Sequence, residues 1–496
     1  MKKKILGSFI FLIVLLLLFG KDFANLDNDF FHIAVSGREM WESKSFIYEN
    51  VHFVSEGFGT IIQQWLYCIM VYASYLVSGY SGVAIFTCLQ FLLLSYVMYK
   101  VLRLYKVNSF LSCSIIILSH FIMGYINIRP QMISLVLLYL QIYIVEKYRQ
   151  DKKVKILYLL PLLTLLQINL HSTFWIFHYL FLLTSFVWTK QKYNKIRFSG
   201  LDGIEDNSLR IKPFIVPMLL MFLSLFINPY GYKNVFLLFT TFGGLSYLNI
   251  VEMQPLSFVS AYMLVLILFV VIFVYAYKKK CLKSETFNMA LGTTVLFCLA
   301  TRNLMFLSVG LFLVLKDIAL RQKKLDFSKV RFNKKEWIAT ILIVCFCSVL
   351  LLPNSTKKEI TKDTANTPKL AVRYIKEHED NLGEIKIFTT FGSGAYFVWE
   401  QTGKNFFEPK TEPAFEYVNQ KENLVREYCS VKQASTQELQ DFVNKYDFDY
   451  LFVTPDFASL NVWLEMSEDY KCVVVSEELT KDFKLPIYKL YKKVKQ

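Results

Sequence analysis

Hydrophobic residues fill the first 352 positions in long blocks, each closed by a short polar stretch. Blocks at 5–19, 83–98, 156–170, 261–275 and 337–352 approach the ~20 apolar residues that a membrane-spanning helix needs. The polar stretches between the blocks are mostly basic: 2–4, 100–106, 147–155, 190–212, 278–283 and 316–335. Basic clusters of this kind orient helices, because Lys and Arg stay on the cytoplasmic side.

That rule fixes a topology by parity. A first helix at 5–20 leads out of the cytoplasm, and residues 21–60 form a polar outer loop. Residues 100–106 must return inside, so only one of the segments 61–77 and 83–98 crosses fully. Gln63 and Gln64, with the breakers Gly79 and Gly82 just beyond, mark 61–78 as a juxtamembrane or partly embedded segment. Irregular backbone at that depth needs protein or a water-filled cavity beside it. The other expected spans are 82–101, 109–127, 130–146, 155–170, 172–189, 212–228, 257–277, 286–301, 303–319 and 336–352. With the first helix they make about eleven, and they leave the C-terminal region outside. Lys21, Arg38, Lys44, Arg129, Lys233 and Arg302 are the only basic residues before position 353 that this arrangement leaves outside.

From residue 353 the pattern changes. Strand-like runs begin at Ile385, Tyr450 and Cys472, and helical patterns lie around 370–379 and 436–446. Strands alternating with helices predict a small α/β domain, joined by the Thr-, Lys- and Asn-rich linker 354–368. The expected fold is therefore an α-helical polytopic membrane domain at 1–352, its first outer loop at 21–81, followed by an extracytoplasmic α/β domain at 353–496.

Composition agrees. Hydrophobic residues make up 54% of the chain and charged residues 19%, too little charge to cover a soluble protein of this size. The formal net charge of +15 is confined to residues 1–352, since 353–496 holds 20 basic and 23 acidic residues. The excess follows the cytoplasmic stretches, so the balance indicates lipid-bilayer orientation and no nucleic-acid partner. The N-terminus resembles a signal peptide but lacks a small-x-small cleavage site, and is read as a retained helix. The nine cysteines show no metal-type spacing. Cys429 and Cys472 either pair in an oxidising space or remain free thiols.

Candidate chemistry gathers at the expected outer face. The first outer loop carries Asp27-Asn-Asp29-Phe-Phe-His32, with Arg38 following. Two carboxylates two residues apart can hold a divalent cation, Mg or Mn, or supply a general base positioned by its neighbour. The same pair also fits a solvated acidic loop. At the later outer turns stand Arg129 in Asn-Ile-Arg-Pro-Gln, His171 in Asn-Leu-His-Ser, Asn228 and Tyr230 in Asn-Pro-Tyr-Gly-Tyr, Glu252, and Arg302 in Thr-Arg-Asn. Charge beside hydrocarbon is costly and usually lines a cavity or meets a partner. Guanidinium forks suit phosphate oxygens, although snorkelling arginines and capped turns use the same residues.

The order Asp-x-Asp-Phe-Phe-His, Gln64-Trp-Leu, Arg-Pro-Gln, Asn-Leu-His, Asn-Pro-Tyr-Gly-Tyr and Thr-Arg-Asn resembles a group of bacterial polytopic membrane proteins related to GT-C glycosyltransferases. Phe391-Gly-Ser-Gly-Ala-Tyr-Phe-Val-Trp399 extends the resemblance into the tail. The wider superfamily includes protein O-mannosyltransferases, oligosaccharyltransferases and the aminoarabinose transferase of lipid A. The resemblance implies a polyprenyl-phosphate-linked sugar donor, a glycan, lipid or protein acceptor in the cell envelope, and a catalytic carboxylate at Asp27 or Asp29. Arg129 and Arg302 would bind the donor phosphate; His32, Arg38, His171, Asn228, Tyr230 and Glu252 would line the substrate cavity. The stretch from Phe407 to Glu412 departs from the group's pattern, which leaves the tail's part in acceptor binding open. A flippase for a lipid-linked saccharide, a polysaccharide polymerase and a non-catalytic scaffold remain as alternatives. No internal repeat stands out, and the ionisable residues crowd one edge instead of the midplane, which favours a transferase over a transporter.

Overall fold

The computed structural model describes residues 18, 23, 26–49, 53–54, 59–123, 127–186, 204–241, 254–257, 260–321, 362–406, 424–480, 482 and 484–494. The expected first helix (Leu18 apart) and last helix, together with Glu252, Cys345, Cys347 and the segment 407–412, lie outside the described residues.

Helix α1 (Asn28–Ser43) comes first, then a short antiparallel pair, β1 (Tyr48–Glu49) and β2 (Gly59–Thr60). A run of helices follows: α2 (Trp65–Leu104), α3 (Ser109–Met123), α4 (Pro130–Asp151), α5 (Leu160–Leu170), α6 (Trp175–Thr184), α7 (Ile215–Ser224), α8 (Tyr232–Thr241), α9 (Tyr262–Lys278), α10 (Ser284–Leu299) and α11 (Leu304–Arg321). The tail continues with α12 (Lys369–His378), β3 (Lys386–Phe388), α13 (Gly394–Trp399), β4 (Lys404–Asn405), α14 (Leu424–Ser430), α15 (Thr436–Tyr446), β5 (Tyr450–Val453), α16 (Ala458–Met466), β6 (Tyr470–Val475) and β7 (Lys489–Lys493).

The chain forms two compact units. One comprises Met1–Phe23, Ala84–Val235 and Tyr247–Pro353; the other comprises Ala24–Val83, Phe236–Ser246 and Asn354–Gln496. The segment read from sequence as a polar outer loop of the membrane domain thus contains a helix, α1, and belongs to the same unit as the tail. Helix α2 passes from one unit into the other. Its backbone leaves helical geometry at Ser78 and Gly79, where Gly79 has φ 58° and ψ −145°, a conformation that an L side chain rarely adopts. The breakers noted in the sequence therefore mark a real break.

The described elements of the first unit are helices. Phe91 and Leu94 of α2, Ile115 and Ile116 of α3, Leu135 and Tyr139 of α4, and Phe306 and Phe312 of α11 form its core. Its outward faces are also apolar. On α9 only Phe269 and Ala276 are buried, while Leu264 and Val271 are 70% and 60% exposed. A face of this kind is stable against hydrocarbon and unfavourable against water. By length and composition, Trp65–Leu104 and Thr301–Arg321 are able to cross a membrane, and five shorter apolar helices accompany them.

Where α4 ends, α10 begins and α11 ends, a buried ionic cluster ties the helices together. Lys316 Nζ lies 3.5 Å from Glu146 and 3.6 Å from Asp317, and Arg149 bridges Glu146 and Glu285. Tyr105, just beyond α2, donates to Glu146; Ser185 donates to Glu285 at 2.8 Å; Asp317 accepts from the Lys283 amide at 3.0 Å. Removing one partner of such a set leaves a buried charge uncompensated, which costs ~3–5 kcal/mol. Lys316→Met should therefore lower the detergent-solubilised melting temperature sharply, and Lys147→Met, on a half-exposed i,i+4 pair with Asp151, should barely move it. Equal melting shifts would contradict the clasp.

The second unit centres on a five-stranded sheet in the order β4-β3-β5-β7-β6. β3 runs parallel to β4 and β5, whereas β7 runs antiparallel to β5 and β6. Phe388, Phe406, Phe442, Leu451, Val453 and Phe457 fill the core beneath it. α15 starts with a capping box in which Ser435 and Glu438 exchange hydrogen bonds. The strands expected at Ile385, Tyr450 and Cys472 are present; β4 and β7, short or lysine-rich, were not anticipated. Cys429 and Cys472 are free and half-buried. Burial pushes both thiols up from their ordinary range. Fewer thiolates form at a given pH, so alkylation of both should lag behind a peptide thiol at pH 8 and catch up only as pH rises. Peptide-like rates at pH 8 would contradict this.

Candidate functional site

Asp27 and Asp29 frame the start of α1. Asp27 is the N-cap, with extended backbone, and its Oδ1 accepts from the Phe30 amide at 3.0 Å. Asp29 stands in the first turn. The helix end supplies unpaired N–H groups and a partial positive charge, so carboxylates are stable at both positions. The pair thus has a structural part, capping, beside any chemical one.

Contacts with the tail hold α1 in place within the second unit. Asn28 Nδ2 donates to the Phe391 carbonyl at 3.1 Å. Phe30 and Phe31 meet Trp399 at ring-centroid distances of 6.2 and 6.4 Å, and Phe31 meets Tyr396 edge-on at 5.0 Å. Trp399 Nε1 donates to the Tyr80 hydroxyl at 3.0 Å. Gly37 lets α1 approach α2 backbone to backbone, since a Cβ there would stand 2.1 Å from the Cys68 carbonyl oxygen. Arg38 donates through both Nη atoms to the carbonyls of Trp399 and Val398, at 2.8 and 2.9 Å, and its guanidinium lies 5.1 Å from the Trp399 ring. The guanidinium expected to line a substrate cavity is thereby engaged as a clamp on the C-terminal end of α13. His32 is half-buried, its ring 6.1 Å from that of Phe391.

The first unit places Arg129, His171, Asn228, Tyr230 and Arg302 toward the end opposite the ionic clasp. Arg129 is the N-cap of α4, with Pro130 at the first helical position. One turn on, Ser134 meets His171 Nδ1 at 2.9 Å. His171 interrupts the helix between α5 and α6, is 3% exposed, and stacks on Phe174 at 4.3 Å. Arg302, in the turn between α10 and α11, stands close enough to bear electrostatically on His171. Asn228 shapes its own turn: Oδ1 accepts from the Tyr230 amide at 2.9 Å, and Nδ2 donates to Leu225 and Gly231. Asn169, two residues before His171, ties α5 to that turn through the Ile227 carbonyl at 3.0 Å. The 14 residues from Arg302 to Lys316 put roughly 21 Å of helix between the two polar ends.

Sequence reasoning missed the polar thread behind His171. Gln167 Nε2 donates to Ser134 Oγ at 3.0 Å and to the His171 carbonyl at 2.7 Å. Gln167 Oε1 faces His178 Nε2 at 3.2 Å, and His178 Nδ1 lies 2.6 Å from Gln141 Oε1. Part of the signal was available: Ser134 and Gln141 are seven residues apart on α4 and so share a face, whereas His171 breaks the helix before His178.

No family model matches the sequence, and no curated protein does. Solved structures that resemble the fold include two of oligosaccharyltransferases. The archaeal oligosaccharyltransferase AglB from Archaeoglobus fulgidus, in complex with an inhibitory peptide and a dolichol-phosphate, aligns over 92% of this chain and 71% of its own, with 9% identity and a TM-score of 0.47. The apo crystal structure of the Archaeoglobus fulgidus oligosaccharyltransferase aligns over 91% and 71%, with 10% identity and a TM-score of 0.44. Likeness of that depth carries no weight in the chemical reading.

Among the described residues no group of three or more His, Cys, Asp or Glu side chains is arranged to hold a metal ion. Asp27 already spends one oxygen on its helix cap.

Proposed function

We propose that the chain is a membrane glycosyltransferase that moves a sugar from a polyprenyl-phosphate-linked donor to an acceptor hydroxyl on the extracytoplasmic side. The reading rests on one observation above others. An apolar helical bundle carries two arginines and a buried histidine at one end, while its ionic clasp and the described basic stretches 100–106, 147–155 and 278–283 lie at the other. The basic end faces the cytoplasm in this reading, which turns Arg129, His171 and Arg302 outward.

The chemistry assigns each group a task. Asp27 or Asp29 takes the proton of the acceptor hydroxyl as its oxygen attacks the anomeric carbon. The bond from that carbon to the donor phosphate breaks, and the phosphate leaves on its lipid with the electron pair. Arg129 and Arg302 stabilise the charge that grows on it, the kind of electrostatic contribution that is usually largest.

Arg302→Lys tests the phosphate assignment. A lysine keeps the charge but not the planar fork, and loss of a charge-assisted pair costs about 1.5–3 kcal/mol. Transfer at limiting donor by protein in nanodiscs should fall by roughly 10–100-fold, with recovery at high donor. An unchanged rate at limiting donor would remove Arg302 from the donor site.

A further inference from the structure

The hydrogen bonds around Ser134 fix the proton of His171. The Ser134 hydroxyl donates to the Pro130 carbonyl at 3.0 Å, accepts from Gln167 Nε2 at 3.0 Å, and lies 2.9 Å from His171 Nδ1. Gln167 Nε2 is itself set as a donor, because it also reaches the His171 carbonyl. A serine hydroxyl has one hydrogen and two lone pairs. With the hydrogen on Pro130 and one lone pair on Gln167, the three bonds coexist only when Nδ1 donates. The neutral ring then carries its proton on Nδ1 and presents Nε2 as a bare acceptor.

Nothing among the described residues donates to that nitrogen, although the side chain is 97% buried (3% exposed). Two buried oxygens likewise have no hydrogen-bond partner among the described residues: Ser172 Oγ, on the residue after His171, and Gln131 Oε1. Gln131 precedes Ser134 by three residues on α4, so both share a face. Buried polar atoms are ordinarily paired. Of these groups His171 lies within electrostatic reach of Arg302, and a ligand suited to such acceptors joins an anionic group to hydroxyl donors.

We infer that His171, as its Nδ1–H tautomer, accepts a hydrogen bond from a sugar hydroxyl of a phosphate-linked donor, with Gln131 accepting from a second hydroxyl and Arg302 facing the phosphate. This deepens the transferase reading and rests on it for the identity of the donor. It makes His171 and Gln131 readers of the sugar, distinct from the groups that hold the phosphate.

The test is nitrogen-15 NMR of the full chain in nanodiscs with labelled histidine. Six histidines give signals, and His171→Asn, which keeps a donor near the Nδ1 position, identifies the right one. The ligand-free protein should show His171 protonated at Nδ1. Its Nε2 signal should move with farnesylphosphoryl mannose, glucose or galactose and stay in place with farnesyl phosphate. His171→Asn should weaken binding of the sugar-bearing probe about tenfold. A proton on Nε2 overturns the inference, and so does an Nε2 signal that no sugar-bearing probe moves. Donor consumption on the same sample separates the failures: turnover with an unmoved Nε2 removes the role of His171 and leaves the transferase, whereas a moved Nε2 without turnover leaves a binding site and removes the transfer.

Discussion

Asp27→Asn and Asp29→Asn are expected to leave the protein folded, and the one that replaces the base should lower sugar transfer about 10²–10⁴-fold. Asparagine is the informative choice because it caps a helix about as well as aspartate. Asp27 caps α1 through the Phe30 amide, so Asp27→Asn removes the charge and keeps the cap. Asp27→Ala removes both and costs about 1 kcal/mol of local stability besides. Transfer should be measured in membranes holding equal amounts of inserted protein. Two asparagine variants with wild-type rates would take both acids out of the mechanism.

The second large effect is structural and lies far from the acids in sequence. Trp399→Ala should destabilise the second unit by ~3–5 kcal/mol, the range for deleting a buried large aromatic. Its ring is 7% exposed and meets Phe30, Phe31, Tyr72 and Tyr75, and its N–H donates to Tyr80. Arg38 reaches the carbonyls at the same place. Losing the ring should loosen α1, seen as faster proteolysis within 28–43, and transfer should fall with it. Trp399→Phe, which retains much of the packing, should be intermediate in both readouts. A stable Trp399→Ala protein with α1 still protected would show that the aromatic cluster does not hold the helix.

Much of the first unit was legible because apolar runs near bilayer length declare themselves, and each of the nine expected spans inside the described residues contains helix. α8 escaped because ten residues including Lys233 and Asn234 carry too little apolar signal. α1 was read as loop for a related reason. Its buried residues Phe30, Phe31, Ile33 and Val35 are interrupted by polar positions, and among spans of 20 apolar residues such a segment looks like a connector. The paired strands β4 and β7 were hidden by length and by lysines.

The candidate residues were legible as types and positions, not as partnerships. Arg38 reads as a charge near a membrane, and only the structure reveals two carbonyls some 360 residues away as its acceptors. His171 stood out at a turn, but the tautomer depends on Ser134 and Gln167, which hydropathy alone does not distinguish from other polar interruptions. The division into units is the largest surprise, since it groups the early acids with the tail.

Sealed vesicles of opposite orientation carry the sharpest test. Right-side-out and inverted membranes containing the protein, loaded with a polyprenyl-phosphate-linked radiolabelled sugar, would each receive a membrane-impermeant hydroxyl-bearing acceptor. Label should reach the acceptor only in right-side-out vesicles, and only with both Asp27 and Asp29 or whichever of them is the base. Label on the acceptor in inverted vesicles alone, or label that stays on its lipid in both preparations, would contradict an outward-facing transferase.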